Sequence, residues 1–221
     1  YSDCFGKMIP SSSEQKPVIF TFPRNSSLHQ AAKEMQERGW VKHAYNLILL
    51  ARWRGISDRL HYGEYRLTAD MTAAELLENM HFARNRVLHR ITFVPGRTVW
   101  DMRQTVQSTP SIKDDLTKHH LWRLTQAMIP GGDNPEGLFF PDTYSYTLGV
   151  KASTIMRSAH QRMVTELNKV WNSRDVGLPY RTPYELLTAA SLIESEAQLP
   201  VERVKISSVL VNRLQKNMLL Q

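Results

Sequence analysis

Apolar positions along the chain alternate between two rhythms, one of short runs and one of helical spacing. Val18 to Phe22 (V-I-F-T-F) is a short apolar run closed by Pro23-Arg24-Asn25, which predicts a strand. Ser26 or Ser27 then caps a helix carrying Ala31, Ala32 and Met35, with Gly39 as its stop. A second helix is predicted from about Val41 to Trp53, where Tyr45, Leu47, Ile48 and Leu50 make a broad apolar face. Gly63–Leu67 reads as a second strand, and Thr72–Met80 as a short helix with Leu76, Leu77 and Met80 inward. The order is strand, helix, helix, strand, a small βααβ unit.

The second part of the chain is mainly helical. Arg86–Val94 alternates well enough for a longer strand that ends at Pro95-Gly96. Thr98–Val106 predicts a helix burying Met102 and Val106, and Ser111–Met128 an irregular one. Over Ala152–Asn172, Ile155, Met156, Ala159, Met163 and Leu167 recur at helical spacing, which marks core scaffold. Two more helices, broken near Pro200, occupy 182–221. The whole reads as α+β.

The first of those two helices has a well-marked start. Thr182 is a good N-cap, Pro183 suits the first helical position, and Glu185 stands where a capping box needs a carboxylate. At helical spacing Leu187, Ala190 and Glu194 share a face, with Leu186 and Ile193 beside it. A carboxyl on such a stripe is desolvated, which disfavours its charged form and raises its pKa towards that of a general acid. The alternative is a glutamate that reaches solvent or meets an Arg or Lys. Glu196 lies about 200° further round the helix, so Glu194 and Glu196 do not face each other as a pair.

Composition narrows the classes. With 221 residues, 42% apolar and 22% charged, the chain can bury a real core and is not a disordered polymer. A net charge of +7 favours polyanionic partners or is general surface charge. The Lys and Arg residues are dispersed and match no nucleic-acid module, so no nucleic-acid partner is expected. Cys4 is the single cysteine and forms no internal disulfide. His119 and His120 point apart on a helix, His81, His89 and His160 are scattered, and no H-E-x-x-H occurs, so no metal site is expected. There is no phosphate loop, dinucleotide fingerprint or nucleophile elbow, and no apolar run long enough to span a bilayer.

Two motifs remain. One is P-E-G-L-F-F-P-D-T-Y over Pro135–Tyr144, where aromatic rings stand beside Glu136, Asp142 and Tyr144. Such a set suits a saccharide, ring against sugar C–H face, or else Phe139 and Phe140 are core and Asp142 caps a turn. The other is A-S-L-I-E-S-E followed by E-R-V-K-I-S-S-V-L-V-N-R-L-Q-K-N-M-L-L-Q over 190–221. Together they resemble the endolytic murein transglycosylases, the YceG-like family, over about residues 17–221. The family's V-P-E-G-x-T element appears here as V-P-G-R-T, without its glutamate.

The resemblance implies a tail over 1–16 following a removed membrane anchor. It implies a LysM-like, glycan-binding βααβ subdomain over 17–84 and a YceG-like catalytic domain over 85–221 that is cut short at its C-terminal end. Glu194 matches the catalytic glutamate, and Glu136, Tyr144, Ser191, Glu196, Asn212 and Gln221 are candidates for holding substrate. The implied activity is a lytic transglycosylase that cuts peptidoglycan between N-acetylmuramic acid and N-acetylglucosamine and leaves a 1,6-anhydro end, thereby terminating or trimming nascent strands. No cofactor is implied. A pyridoxal phosphate lyase, a label sometimes given to the family, would need a lysine, and none stands near Glu194 before Lys205. Peptidoglycan strands, the membrane through the missing anchor, and cell-wall synthesis proteins are the implied partners. The implied location is the bacterial inner membrane, single-pass, with this part in the periplasm. Two other readings stay open: a hydrolytic muramidase using Glu136 or Asp142 as second carboxylate, and a non-enzymatic glycan-binding scaffold.

Overall fold

The computed structural model describes residues 18–220 apart from 25, 69, 118–120, 122, 124–133 and 198. It is α+β, with seven helices and three two-stranded sheets among those residues. The chain divides into two compact units, one of residues 1–89 with 147–149, the other of 90–146 with 150–221.

In the first unit β1 (Val18–Phe22) pairs antiparallel with β2 (Gly63–Leu67), Phe20 opposite Tyr65. Strand alternation turns Phe20, Phe22, Tyr65 and Leu67 inward. Helices α1 (Leu28–Glu37), α2 (Ala44–Trp53) and α3 (Ala73–His81) supply the rest of the core, through Ala32, Met35, Leu47, Ala51, Leu76 and Met80. The βααβ order is as the sequence predicts. Ser27 caps α1 and Thr72 caps α3, each with a reciprocal side chain three residues on, Gln30 and Glu75. After α1 the chain turns at Gly39, whose φ of +72° a side chain would strain. Tyr65 is almost fully buried, and its hydroxyl donates to the His61 carbonyl at 2.5 Å.

The second unit contains β3 (His89–Thr92) from its second residue on, α4 (Val99–Gln107), β4 (Ile112–Lys113), β5 (Thr143–Tyr146), β6 (Val150–Lys151), α5 (Ala152–Asn172), α6 (Pro183–Glu196) and α7 (Glu202–Gln215). β3 pairs with β5, and β4 runs parallel to β6. The core gathers Ile91, Phe93, Val99, Met102, Val106, Phe139, Ile155 and Met156 around the inner face of α5.

Two expectations change. The strand at 86–94 is shorter, His89–Thr92. Residues 111–117 do not start a helix: Ile112–Lys113 form β4, after which side chains take over the local backbone. Asp114 accepts the Leu116 N–H at 3.0 Å, and Asp115 accepts both the N–H and the hydroxyl of Ser153 at the start of α5. Short acidic side chains bonding nearby backbone compete with helix in this way. Leu121 and Arg123 of the expected helix are helical, Leu121 fully buried, while the rest of it, with His119 and His120, lies outside the described residues.

Candidate active site

The residues at the start of α6 dictate its beginning. Thr182 Oγ1 accepts the Glu185 N–H at 3.2 Å, and Pro183 opens the helix. The reciprocal half of the expected capping box is not made. Glu185 Oε2 accepts the N–H of Arg181 at 2.7 Å, one residue further back, which still places negative charge at the positive end of the helix. Fourteen residues on, the helix ends with Ala197 in extended backbone. The Leu199 N–H then donates to Glu202 Oε2 at 3.0 Å, and α7 follows.

Across that break Arg203 Nη2 donates to Glu194 Oε2 at 2.9 Å, with side-chain exposures of 49% and 43%. This corrects the expected surroundings of Glu194. Only Ala189 is buried on α6; Leu186, Leu187 and Ile193 are half-buried, while Ala190 and Glu194 are exposed. The helix leans on α5 and α7 along one narrow edge centred on Ala189, and Glu194 falls outside it. The immediate neighbour of the carboxylate is therefore a guanidinium and not an apolar wall. Arg203 was not among the residues that the motif reading singled out. The E-R pair after Pro200 was the available signal, but a partner nine residues away across a helix break obeys no helical spacing rule.

The other candidates on this hairpin are all solvent-facing. The Ser191 hydroxyl donates to the Thr188 carbonyl of its own helix at 2.8 Å. Glu196 and Asn212 are exposed, Asn212 on the side of α7 away from buried Leu210. Gln221 lies outside the described residues. Among the described residues, no hydrogen bond or ion pair joins Glu194 to a second carboxylate.

Glu136 and Tyr144 each make contacts within the folded chain. Both oxygens of Glu136 accept the N–H of Val99, the first residue of α4, at 3.2 and 3.1 Å. Thr98 caps the same helix reciprocally with Asp101, whose carboxyl those Thr98 hydrogen bonds hold below the usual range. Glu136 thus serves a helix end whose free N–H groups and dipole favour an anion. Replacing Glu136 with alanine is expected to remove about 1–2 kcal/mol of stability, as cap losses do. Hydrogen exchange over α4 measures it, and unchanged protection would refute the role.

Tyr144 is half-buried, its ring 5.6 Å from that of Phe93, and its hydroxyl donates to the Phe140 carbonyl at 2.7 Å. Burial, opposed by Arg162 and aided by Asp142, pushes its hydroxyl up to about 12 from the usual 10.0. The folded state thus keeps this proton where the unfolded chain has lost it. The contribution to stability is complete below pH 10 and lost as pH rises from 10 to about 12. Absorbance titration of tyrosinate is expected to show one residue lagging towards pH 12, absent in Tyr144→Phe.

The rest of that motif is core and loop. Leu138 and Phe139 are buried, Arg162 lies over the Phe140 ring at 5.2 Å and pairs with Asp142, and Asp142 Oδ1 accepts the Thr143 N–H at 2.6 Å. His160 Nδ1–H donates to the Leu138 carbonyl at 2.9 Å, which fixes its tautomer in the core. Among the described residues no group of three or more His, Cys, Asp or Glu side chains is placed to hold a metal ion. No described helix is long and apolar enough to cross a membrane.

Comparison with known proteins bears on this arrangement. The sequence profile of the YceG-like family matches residues 20–221. Endolytic murein transglycosylases from Streptococcus pneumoniae strains R6 and D39 are each 27% identical to this chain, over 256 and 251 residues. Each alignment takes in all of this chain and 45% of the relative, so the chain spans about half the length of these curated relatives. A crystal structure of a yceG-like protein from Listeria monocytogenes aligns with a TM-score of 0.48 and 21% identity, covering 94% of this chain and 73% of that one. With the family profile running through both units to the hairpin that carries Glu194, the chain belongs to the YceG-like family.

Proposed function

We propose that this chain is part of a lytic transglycosylase acting on peptidoglycan, with Glu194 as its single acid and base. The names of the pneumococcal relatives support the reaction class. The observation that carries the single-carboxylate reading is the fate of the other acids. Glu136 is spent on the N-terminus of α4, and Asp142 on Arg162 and the Thr143 N–H, while Glu194 stands exposed on the α6–α7 hairpin. A hydrolase of the ordinary kind needs two carboxylates flanking the bond, one to serve water or to act as nucleophile. Internal transfer needs one.

Glu194 in its acid form donates a proton to the glycosidic oxygen between C1 of N-acetylmuramic acid and N-acetylglucosamine. As that C–O bond breaks, the N-acetylglucosamine residue leaves with a free hydroxyl. The carboxylate then takes the proton of the muramic acid 6-hydroxyl, whose oxygen closes on C1 to give the 1,6-anhydro ring. The glutamate regains its proton, and no water is consumed. For the first step Arg203 must turn away from the oxygen it now bonds. Ser191, Glu196, Asn212 and Gln221 are the groups proposed to orient the glycan here. Glu136 and Tyr144 act on it only through the loop they brace. The first unit serves as a LysM-like glycan holder, and the protein works in the periplasm on an inner-membrane anchor, alongside cell-wall synthesis proteins.

Digestion of purified peptidoglycan, with products read by mass spectrometry, tests this. Anhydro-muramic ends from the protein but not from Glu194→Gln are expected. Reducing ends would replace the reading with a muramidase, and glycan binding indifferent to Glu194→Gln without any product would replace it with a scaffold.

A further inference from the structure

Helix α2 has two apolar faces. Leu47, Ile48, Leu50 and Ala51 are buried and hold it to the core of the first unit. On the other side Tyr45, Leu49 and Trp53 stand one helical turn apart and face solvent, with exposures of 68%, 49% and 82%. At about 100° per residue these three and Arg52 fall within a sector of about 100°, centred roughly opposite the buried one. A helix that packs by one face ordinarily shows polar or charged residues on the other. An outward row of two aromatic side chains and a leucine is therefore not explained by the core. Among the described residues neither the indole N–H of Trp53 nor the hydroxyl of Tyr45 makes a hydrogen bond.

The charge around this row has one sign. From Arg38 to Ser57 the sequence contains Arg38, Lys42, Arg52 and Arg54 and no Asp or Glu. Arg38 and Arg54 are paired with Glu34 and Glu78. Lys42, just before the N-cap His43, and Arg52, beside Trp53, are exposed and form no ion pair among the described residues. Uncompensated cations thus stand at both ends of the row, which calls for an anionic partner. A second copy of the chain fits poorly, because it would bring like charges together. Three side chains also cover far less than the roughly 1,200 Å² of a specific protein interface. An acidic peptide helix would need a groove, and this is the outer face of a single helix, from which Trp53 stands out. A soft anionic surface takes both features: tryptophan and tyrosine settle at the boundary of headgroup and acyl chain, and lysine and arginine stems reach from there to phosphate.

We propose that the outer face of α2 docks on an anionic phospholipid membrane. The helix lies in the plane of the surface, with Tyr45, Leu49 and Trp53 at the headgroup–acyl boundary and Lys42 and Arg52 on lipid phosphates. Such binding combines buried apolar area with attraction to anionic lipid, and each basic residue near the surface strengthens it about fivefold. With only three apolar side chains it is weak and reversible. It sets which side of the first unit meets the bilayer, whichever reaction the α6–α7 hairpin performs.

Co-sedimentation of the whole chain with vesicles tests this. Vesicles of phosphatidylglycerol with phosphatidylethanolamine are expected to bind at least about tenfold more chain than vesicles of phosphatidylcholine, with the excess falling as salt rises. Lys42→Gln with Arg52→Gln is expected to erase that preference. Tyr45→Ser with Trp53→Ser is expected to lower binding to the anionic vesicles at least about tenfold. Trp100→Ser, which removes an exposed tryptophan of the second unit, should leave it unchanged. Bromine on the acyl chains should quench the tryptophan emission of the chain but not of Trp53→Phe, which places the contact. Unchanged hydrogen-exchange protection of α2 confirms that the variants fold. No binding to either vesicle, equal binding to both, or quenching that persists in Trp53→Phe would each overturn the proposal. So would soluble polyglutamate binding as tightly as the vesicles, which would assign the face to an acidic protein, or a dimer in solution that Trp53→Ser dissolves. None of these results depends on whether Glu194 performs the chemistry, so the two readings fail separately.

Discussion

Glu194→Gln is expected to slow the release of anhydro-muramic ends by about 10²–10⁴-fold, the usual contribution of a positioned general acid and base. The substitution is chosen for what it keeps. Glutamine has the shape of the carboxylate, and its amide oxygen still accepts from Arg203 across the α6–α7 break. It has no proton to deliver to a glycosidic oxygen and no basic oxygen to take one from the 6-hydroxyl. The exposed pair it replaces is worth about 0–1 kcal/mol, so hydrogen-exchange protection of the second unit should hardly move. A rate loss without a stability loss is then a statement about chemistry. Timed digestion with counting of anhydro ends measures it, and a variant that cuts at the parental rate would remove Glu194 from the mechanism.

Phe139→Ala is expected to have the largest effect on stability, about 3–5 kcal/mol, as for other buried aromatic truncations. The ring is 3% exposed, sits 5.9 Å from the His160 ring, and belongs to the core of the second unit. It follows Leu138, whose carbonyl holds His160, so the void opens beside a buried hydrogen bond. Because the chain has two compact units, one unfolding midpoint does not describe it. Hydrogen exchange resolved by peptide is the suitable measurement. Protection should fall over Val99–Gln107 and Ala152–Asn172 while that of Leu28–Glu37 and Ala44–Trp53 stays as it was. Phe140→Ala should do far less, since that ring is only half-buried beneath Arg162.

These expectations also show where sequence reading succeeds. Caps and stops are local, so the starts of α1, α3, α4 and α6 at Ser27, Thr72, Thr98 and Thr182 could be placed from a few neighbouring residues. The inward face of α5 follows from a period that needs no knowledge of a partner. β4 and β6 could not be found in this way, because two residues show no period and their pairing joins Ile112 to Val150. The same limit explains Glu194. A stripe of Leu187, Ala190 and Glu194 states which residues share a side of α6, not which side the rest of the protein covers. Motif reading sees residue types, so the Val99 N–H and Phe140 carbonyl that Glu136 and Tyr144 meet, which are contacts of the folded chain, lie beyond it.

The second sheet strand β5 leads at Thr147 back into the first unit, which the chain leaves again after Gly149. Gly149 has a φ of +73°, and a Cβ there would stand 3.9 Å from the Tyr62 ring. The two units are consequently sewn together by three covalent crossings, at 89/90, 146/147 and 149/150. A protease that nicks one crossing leaves the other two intact. The first unit, cut out as an uninterrupted stretch of gene, would lack the short strip that passes beside its own tyrosine.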